Sequence, residues 1–193
     1  MSDPHDHLRE SDLAHLIEAH GELEPGLGPA STFFERFVVS ILRQQVSMAS
    51  ARATRERLFA AVDVTPSGIL AAEESLLRDA GLSRQKARYV KNVAAAFEER
   101  GYSRAGFADL TDAEVLDELT SITGVGVWTA KMQLLFSLDR PDVFPVEDLG
   151  IRKGMRALYG DVDRAEMEDL AEAWRPYRSY ASLYLWRAQD GGD

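Results

Sequence analysis

Residues 119–132 read Leu-Thr-Ser-Ile-Thr-Gly-Val-Gly-Val-Trp-Thr-Ala-Lys-Met, and this stretch decides the fold. One helical pattern ends at its apolar residues, and a second begins directly after Gly126. Two glycines one residue apart allow backbone conformations that side chains would block, which predicts a tight hairpin between helices at about 117–136. Bare amides at the start of the second helix, together with its dipole, favour an anion. The hairpin is therefore a candidate phosphate site; the alternative is a plain helix–helix turn with a glycine cap.

Helical periodicity also runs through the rest of the chain. Apolar residues repeat at three-to-four spacing in 34–42 and again in 87–97. Residues suited to start or end helices separate such patterns: Thr65-Pro66, Gly81, Thr111 with Glu114, and Asp163 with Glu166. No stretch alternates apolar and polar residues between turn dipeptides, as a strand would. The sequence therefore predicts an all-α protein of about seven to ten helices with short connections.

Length and composition limit the class of protein. The 193 residues are 45% hydrophobic, which suits one compact domain or one domain of two lobes. The chain has no cysteine, which excludes a disulfide scaffold, an iron–sulfur cluster and a zinc site built on thiolates. No apolar run is long enough to cross a membrane, and the acidic, polar N-terminus is unlike a secretory signal. We expect a cytoplasmic protein, associated with the nucleoid if the source is a prokaryote.

The two ends of the chain are predicted to be loose. Residues 1–25 are strongly acidic, and the chain ends in Gly191-Gly192-Asp193. The predicted domain therefore spans residues 26–193.

The charge of the chain is unevenly distributed. A net charge of −10 argues, taken alone, against binding to nucleic acid. However, cations are concentrated in three segments, 43–57, 84–91 and 152–156. These segments either converge on one surface that faces a polyanion or form solvated helix faces that never meet.

A second motif follows the hairpin after some twenty residues. Residues 143–154 read Val-Phe-Pro-Val-Glu-Asp-Leu-Gly-Ile-Arg-Lys-Gly, so that Asp148 follows an apolar segment containing proline and precedes a basic helix start. An aspartate in this position can cap the helix that begins at Leu149. It can also present a fixed carboxylate to a substrate, and the two roles are compatible.

Together the two motifs resemble the helix-hairpin-helix, Gly/Pro-Asp (HhH-GPD) superfamily of DNA glycosylases. Within it, the chain is most similar to the 3-methyladenine DNA glycosylase II, or AlkA-type, branch. Three further segments resemble blocks of that branch in the same order: 41–47, 81–87 and 174–181. The resemblance implies two helical lobes flanking a DNA-binding cleft. The AlkA type also carries an N-terminal β-rich domain, for which this chain has no room.

The resemblance implies a catalytic role for Asp148. A tryptophan, Trp128, stands where bifunctional relatives such as endonuclease III carry the lysine that forms a Schiff base, which implies a monofunctional enzyme that leaves an abasic site. The implied base pocket contains Trp128, Trp186 and Met132, and this methionine replaces a pocket tyrosine of the AlkA type. A fixed carboxylate stabilises the oxocarbenium-like sugar formed when an N-glycosidic bond breaks, and aromatic faces suit a cationic alkylated base. Tyr180 is a further candidate for this pocket.

The resemblance also implies a DNA-binding surface, on which Gln45 wedges into the gap left by a flipped base. The predicted DNA-binding residues are Gln44, Gln45, Ser47, Ser83, Arg84, Lys86, Gly124, Gly126 and Thr129. No cofactor is expected to be required, but the backbone carbonyls of Thr120, Ile122 and Val125 are candidate ligands for a Na⁺ or K⁺ ion. The implied partner is duplex DNA containing alkylated bases such as 3-methyladenine or 7-methylguanine, bound by a monomer with no membrane role. The alternatives are a related glycosylase for another lesion class and a non-catalytic helix-hairpin-helix DNA-binding module.

Overall fold

The computed structural model describes residues 3–26 and 31–188, and every regular element in these ranges is helical. The predicted all-α class is therefore confirmed. The chain divides into two compact units: unit 1 contains Met1–Gly26 and Leu134–Asp193, and unit 2 contains Leu27–Gln133. In the described part of the chain, no helix has the length and apolar character needed to cross a bilayer. The C-terminal tail that was predicted to be loose lies outside the described residues.

Unit 2 is built around an aromatic core. Its helices are α3 (Phe33–Arg43), α4 (Met48–Ala61), α5 (Pro66–Ala71), α6 (Glu74–Asp79), α7 (Arg84–Arg100), a 3₁₀ turn (Ala105–Phe107) and α8 (Asp112–Thr120). They are followed by α9 (Val127–Phe136), of which residues 127–133 belong to unit 2. Phe97 of α7 lies at the centre, with edge-to-face ring contacts at 5.1 Å to Phe34 and 5.2 Å to Phe33. This core holds α3 against α7.

Unit 1 contains both ends of the described chain. Its helices are α1 (Pro4–Arg9), α2 (Ala14–His20), α10 (Leu149–Tyr159), α11 (Arg164–Ala171), a 3₁₀ turn (Glu172–Trp174) and α12 (Arg178–Ala188). The fully buried Trp174 and Tyr184 lie in its core together with Ile151 and Met155. The core therefore packs the helix that follows Asp148 against α12.

The prediction of a loose N-terminal segment is wrong. Leu8 and Leu13 are fully buried in the core of unit 1, and Ile17 is nearly so. The Tyr184 hydroxyl donates to the Gly21 carbonyl at 3.0 Å and accepts from the Leu23 amide at 3.1 Å. The acidic residues of this segment occupy exposed positions, and the spaced leucines supply the buried side. A domain that begins at residue 26, as predicted, would therefore leave out an integral part of unit 1.

The predicted helix ends are largely confirmed. Thr65 caps α5 with Pro66 in the first turn, Gly81 follows α6 with a φ of +106°, and both predicted capping boxes form. The predicted number of helices is too low, because the described residues contain twelve α-helices. The difference comes from helices of six or seven residues, such as α1, α2, α5 and α6, which are too short to show a clear period.

Candidate active site and nucleic-acid interface

The carboxylate of Asp148 is held in a defined orientation in unit 1. Asp148 is the N-cap of α10, and its Oδ1 accepts the Ile151 amide at 3.0 Å. The same oxygen accepts the indole Nε1–H of Trp186 at 2.8 Å. The side chain therefore caps the helix, as predicted, and it is fixed by a second donor from α12.

The indole of Trp186 is itself positioned by its neighbours in unit 1. It stacks on Phe136 with ring centroids 5.5 Å apart and an interplanar angle of 24°. A Cβ on Gly150 would lie 2.7 Å from Trp186 Cδ1, so only glycine lets the indole approach the start of α10 this closely. The sequence pattern did not single out Phe136 or Gly150. That Trp186 also forms a wall of the base pocket stays a prediction.

The loop that leads to Asp148 is supported by Arg152. Its Nη1 donates to the carbonyls of Val146 at 3.1 Å and Glu147 at 2.6 Å. The sequence places Arg152 in a basic segment that could face a polyanion, but in the structure its guanidinium is used to brace the loop. A backbone segment with satisfied carbonyls holds its aspartate more rigidly than a free loop would.

The start of α12 anchors the same loop further upstream. Arg178 donates to both carboxylate oxygens of Asp142, at 2.7 and 3.0 Å. Ser179 Oγ donates to the Arg140 carbonyl at 2.5 Å and accepts the Val143 amide at 2.9 Å. The sequence marks residues 174–181 only by their resemblance to a family block. In the structure, Arg178 and Ser179 of this block hold the segment that precedes Asp148.

In unit 2 the predicted hairpin is present between α8 and α9. Gly124 has a φ of +105°, and a Cβ there would lie 2.2 Å from Cγ of Tyr89. Gly126 needs no such freedom: its φ is not in the left-handed region, and a Cβ would point into open space. Only the first glycine is therefore demanded by the turn, while the second leaves the backbone bare at the start of α9.

Two carboxamide side chains hold the hairpin backbone. Gln44 Nε2 donates to the Gly124 carbonyl at 3.0 Å, and Asn92 Nδ2 donates to the Thr123 carbonyl at 2.9 Å. Because carbonyl and amide point in opposite directions across a trans peptide, the Gly124 N–H points away from Asn92 and α7. Nothing local in the sequence marks Asn92 or Tyr89 as a support of the hairpin.

Two of the predicted DNA-binding residues have different positions from those expected. Thr129 is 1% exposed, and its hydroxyl accepts a second hydrogen bond from Gln44 Nε2 at 3.0 Å. The prediction that Thr129 contacts DNA is wrong for its side chain, because that side chain is buried. Gln44 donates both of its amide protons to acceptors within unit 2, so its NH₂ group has no proton left to donate to DNA.

Gln45, by contrast, stands exposed at the tip of the turn between α3 and α4. Its φ is +55°, and within residues 3–26 and 31–188 its side chain has no hydrogen-bond partner. Exposed apolar side chains flank it, with Val46 at 43% and Met48 at 64%. A non-glycine residue in the left-handed region costs about 1–3 kcal/mol and is concentrated at functional positions. Ser47 caps α4 by accepting the Ser50 amide at 3.2 Å.

The start of α7 lies beside this turn. Ser83 caps α7 by accepting the Lys86 amide at 3.1 Å, and Lys86 Nζ donates to the Leu42 carbonyl at 2.7 Å. Partial burial lowers the pKa of the Lys86 ammonium below its usual value. Arg84 is exposed, 4.0 Å from Glu74. A cavity of about 630 Å³ opens among the Gln45 turn, Ser83 and the hairpin.

Several cations of the basic segments are bound internally. Arg57 Nε donates to the Ala80 carbonyl at 2.9 Å, and Lys91 Nζ donates to the Ala72 carbonyl at 2.6 Å. Like Lys86 and Arg152, they satisfy carbonyls at helix ends or in loops. The basic segments are therefore partly structural, and fewer of their charges are offered to a polyanion than the sequence indicates.

The remaining pocket candidates differ in accessibility. Met132 is buried at 6% exposure, and Trp128 is half-buried. Tyr180 packs edge-to-face on the ring of His5 at 5.6 Å, so part of its surface is covered by the N-terminal helix. Whether Trp128 and Met132 line a base pocket stays a prediction.

The chain belongs to the HhH-GPD superfamily of base excision DNA repair proteins, whose family model matches residues 38–180. The resemblance drawn from the motifs is thereby confirmed. The DNA-3-methyladenine glycosylase 1 of Schizosaccharomyces pombe is 30% identical over 168 residues, which cover 83% of this chain and 74% of that protein.

Two solved structures are similar over nearly the whole chain. The 3-methyladenine DNA glycosylase Mag1 of Schizosaccharomyces pombe, in complex with abasic DNA, superposes with a TM-score of 0.87 at 25% identity, covering 96% of both chains. The DNA-3-methyladenine glycosidase of Bacillus halodurans superposes with a TM-score of 0.82 at 31% identity, covering 98% of this chain and 91% of that one.

Proposed function

We propose that this protein is a monofunctional DNA glycosylase that releases alkylated bases, such as 3-methyladenine or 7-methylguanine, from duplex DNA in base excision repair. The observation that carries the proposal is the Asp148 carboxylate, capped onto α10 and fixed by the Trp186 indole. The family match and the names of the relatives support the same activity. Base release from methylated duplex DNA, compared with that of Asp148→Asn, tests it.

The proposed reaction breaks the bond between C1′ of the sugar and the base nitrogen. The bonding electron pair leaves with the base, and the sugar becomes an oxocarbenium-like cation. The Asp148 carboxylate stabilises this positive charge and orients a water that adds to C1′, leaving an abasic site after loss of one proton. An alkylated purine is already cationic, so it leaves as a neutral base without a general acid.

The flipped base is proposed to lie against the indole of Trp186, whose Nε1–H is bonded to the Asp148 carboxylate. Aromatic faces attract a cationic base more strongly than its neutral parent, which provides selectivity for alkylated purines. A lesion panel tests this point: release of 3-methyladenine and 7-methylguanine is expected to exceed release of hypoxanthine and 8-oxoguanine. Preferential release of a neutral lesion would favour a glycosylase of another class.

The hairpin is proposed to bind a backbone phosphate of DNA. The backbone is bare at Gly126, and the amides at the start of α9 lie at the positive end of the helix dipole. Exposed Arg84 and the Ser83 hydroxyl are proposed to add phosphate contacts.

We further propose that a Na⁺ or K⁺ ion binds the carbonyls of Thr120, Ile122 and Val125. The chain is proposed to act as a monomer in the cytoplasm.

The enzyme is expected to have no lyase activity. Trp128 cannot form an imine, so incubation with a duplex containing one 7-methylguanine should yield an intact strand that breaks only after alkali or heat. Borohydride added during turnover should trap no enzyme–DNA adduct. A trapped adduct would contradict the monofunctional proposal, and a bifunctional 8-oxoguanine glycosylase serves as the positive control for trapping.

Gln45→Ala is expected to lower activity on paired lesions about tenfold more than on unpaired lesions, since opening a base pair costs a few kcal/mol and the wedge recovers part of this cost. Its Tm should stay close to that of the wild type, because an exposed side chain with no hydrogen bond to the described residues contributes little to stability. Rates on one lesion, paired or in single-stranded DNA, provide the ratio. A lowered Tm with an unchanged ratio would exclude Gln45 as the wedge.

A further inference from the structure

One side chain connects the two parts of the proposed DNA surface in unit 2. Gln44 directly precedes the wedge candidate Gln45, and its Nε2 reaches the hairpin 80 residues further along the chain. One amide proton goes to the Gly124 carbonyl and the other to the Thr129 hydroxyl, both at 3.0 Å. The carboxamide therefore spans the wedge turn and the phosphate hairpin.

The backbone of the wedge turn is strained at Gln45. Gln45 keeps a φ of +55°, a conformation that persists only where the surroundings enforce it. The turn between α3 and α4 is held on one side by Lys86, which binds the Leu42 carbonyl, and on the other by Gln44. Loss of the Gln44 bonds would free the backbone at Gln45 to relax into an ordinary conformation, which would re-aim the wedge.

We propose that Gln44 is a positioning residue that couples the wedge to the hairpin, so that gripping a phosphate and filling an opened base pair occur with fixed relative geometry. The inference rests on the proposed function. It replaces direct DNA contact, the role expected of Gln44 from the sequence, with a role exerted through Gln45. The consequence is specific: Gln44 matters for lesions in paired DNA, where a wedge is needed, and much less for unpaired ones.

A double-mutant cycle tests this coupling. Gln44→Met keeps the side-chain volume and removes both hydrogen bonds, and we expect it to lower the paired-to-unpaired rate ratio by about fivefold to tenfold. In a Gln45→Ala background, the same substitution should leave the ratio unchanged, because no wedge remains to be positioned. Losses that multiply in the double variant would show that Gln44 acts on DNA directly, and would overturn the proposal.

Gln85→Met is the matched control. It makes the same chemical change on the same side of unit 2, where Gln85 Nε2 donates to the Tyr89 hydroxyl at 2.6 Å and to neither the wedge turn nor the hairpin backbone. Its paired-to-unpaired ratio should equal that of the wild type. Gln44→Glu, which keeps the size and polarity but cannot donate to the Gly124 carbonyl, repeats the test if Gln44→Met unfolds. An equal drop of the ratio in Gln85→Met would overturn the proposal.

A binding readout separates this inference from the proposed activity. Duplex DNA with a tetrahydrofuran abasic analogue and 2-aminopurine in the opposite strand reports wedge insertion as a change in fluorescence, with no base release required. Gln44→Met should reduce this change at saturating protein while shifting the Kd by less than about threefold. A normal fluorescence change would overturn the coupling, whereas a wild type that inserts its wedge but releases no alkylated base would overturn only the proposed function.

Discussion

Asp148→Asn is expected to lower base release by on the order of 10²-fold or more while duplex binding stays close to that of the wild type. Asparagine keeps Oδ1 as an acceptor for the Ile151 amide and for the Trp186 indole, so the cap and the side-chain orientation are retained. What is lost is the negative charge that stabilises the sugar cation. Single-turnover rates on a 7-methylguanine duplex, with Tm measured on the same preparation, separate lost chemistry from lost folding.

Asp163→Asn provides the matched control, because Asp163 caps α11 of the same unit by accepting the Glu166 amide at 3.0 Å. This variant should turn over at the wild-type rate. Turnover near the wild-type rate by Asp148→Asn would remove Asp148 from the mechanism. An equal loss in both variants would mean that replacing a capping aspartate of unit 1 by asparagine lowers the activity wherever it is made, so that the loss in Asp148→Asn would not report a charge that acts on the sugar.

Gly124→Ala is expected to destabilise the protein by about 2–4 kcal/mol and to weaken duplex binding at least tenfold, because the hairpin must change shape. The φ of +105° is strained for any residue with a Cβ, and the new methyl group would lie 2.2 Å from the Tyr89 ring. Urea unfolding gives the stability change, and fluorescence anisotropy with a tetrahydrofuran duplex gives the affinity.

Gly126→Ala is the control two residues away. Its Cβ meets nothing within 4 Å and its φ is ordinary, so the free energy of unfolding should change by less than about 1 kcal/mol. Tyr89→Ala in the Gly124→Ala background removes the clash but keeps the backbone strain, and it should restore only part of the loss. Equal unfolding free energies for the Gly124→Ala and Gly126→Ala variants would show that the hairpin tolerates a Cβ at both glycines.

Local patterns predicted the parts of the fold that depend on near neighbours. Capping by Thr111, Asp163 and Asp148 joins a side chain to an amide three residues ahead, and each cap forms as predicted. The hairpin also lies where the glycine pair places it. In such interactions both partners lie within one turn of helix, so the residue types and their spacing are sufficient to identify them.

The predictions that differ from the structure involve partners far apart in the chain. Arg152 lies in a basic segment that could face a polyanion, and Lys86 is predicted to bind DNA, yet each donates to backbone carbonyls. The acidic N-terminus was expected to be loose, yet Leu8 and Leu13 are fully buried. Charge and composition report the average character of a segment, whereas burial depends on which surface the rest of the core leaves uncovered.

By itself, the sequence determined the helical class, the hairpin, the capped aspartate and, through the order of its motifs, the family. Only the tertiary structure decided which side chains hold these features in place: Trp186 reaches Asp148 across 38 residues, and Gln44 reaches Gly124 across 80. The physical reason is that a hydrogen bond between distant residues forms only after both helices have packed on a common core. No local spacing encodes that meeting, so the catalytic candidate was visible in the sequence and its supports were not.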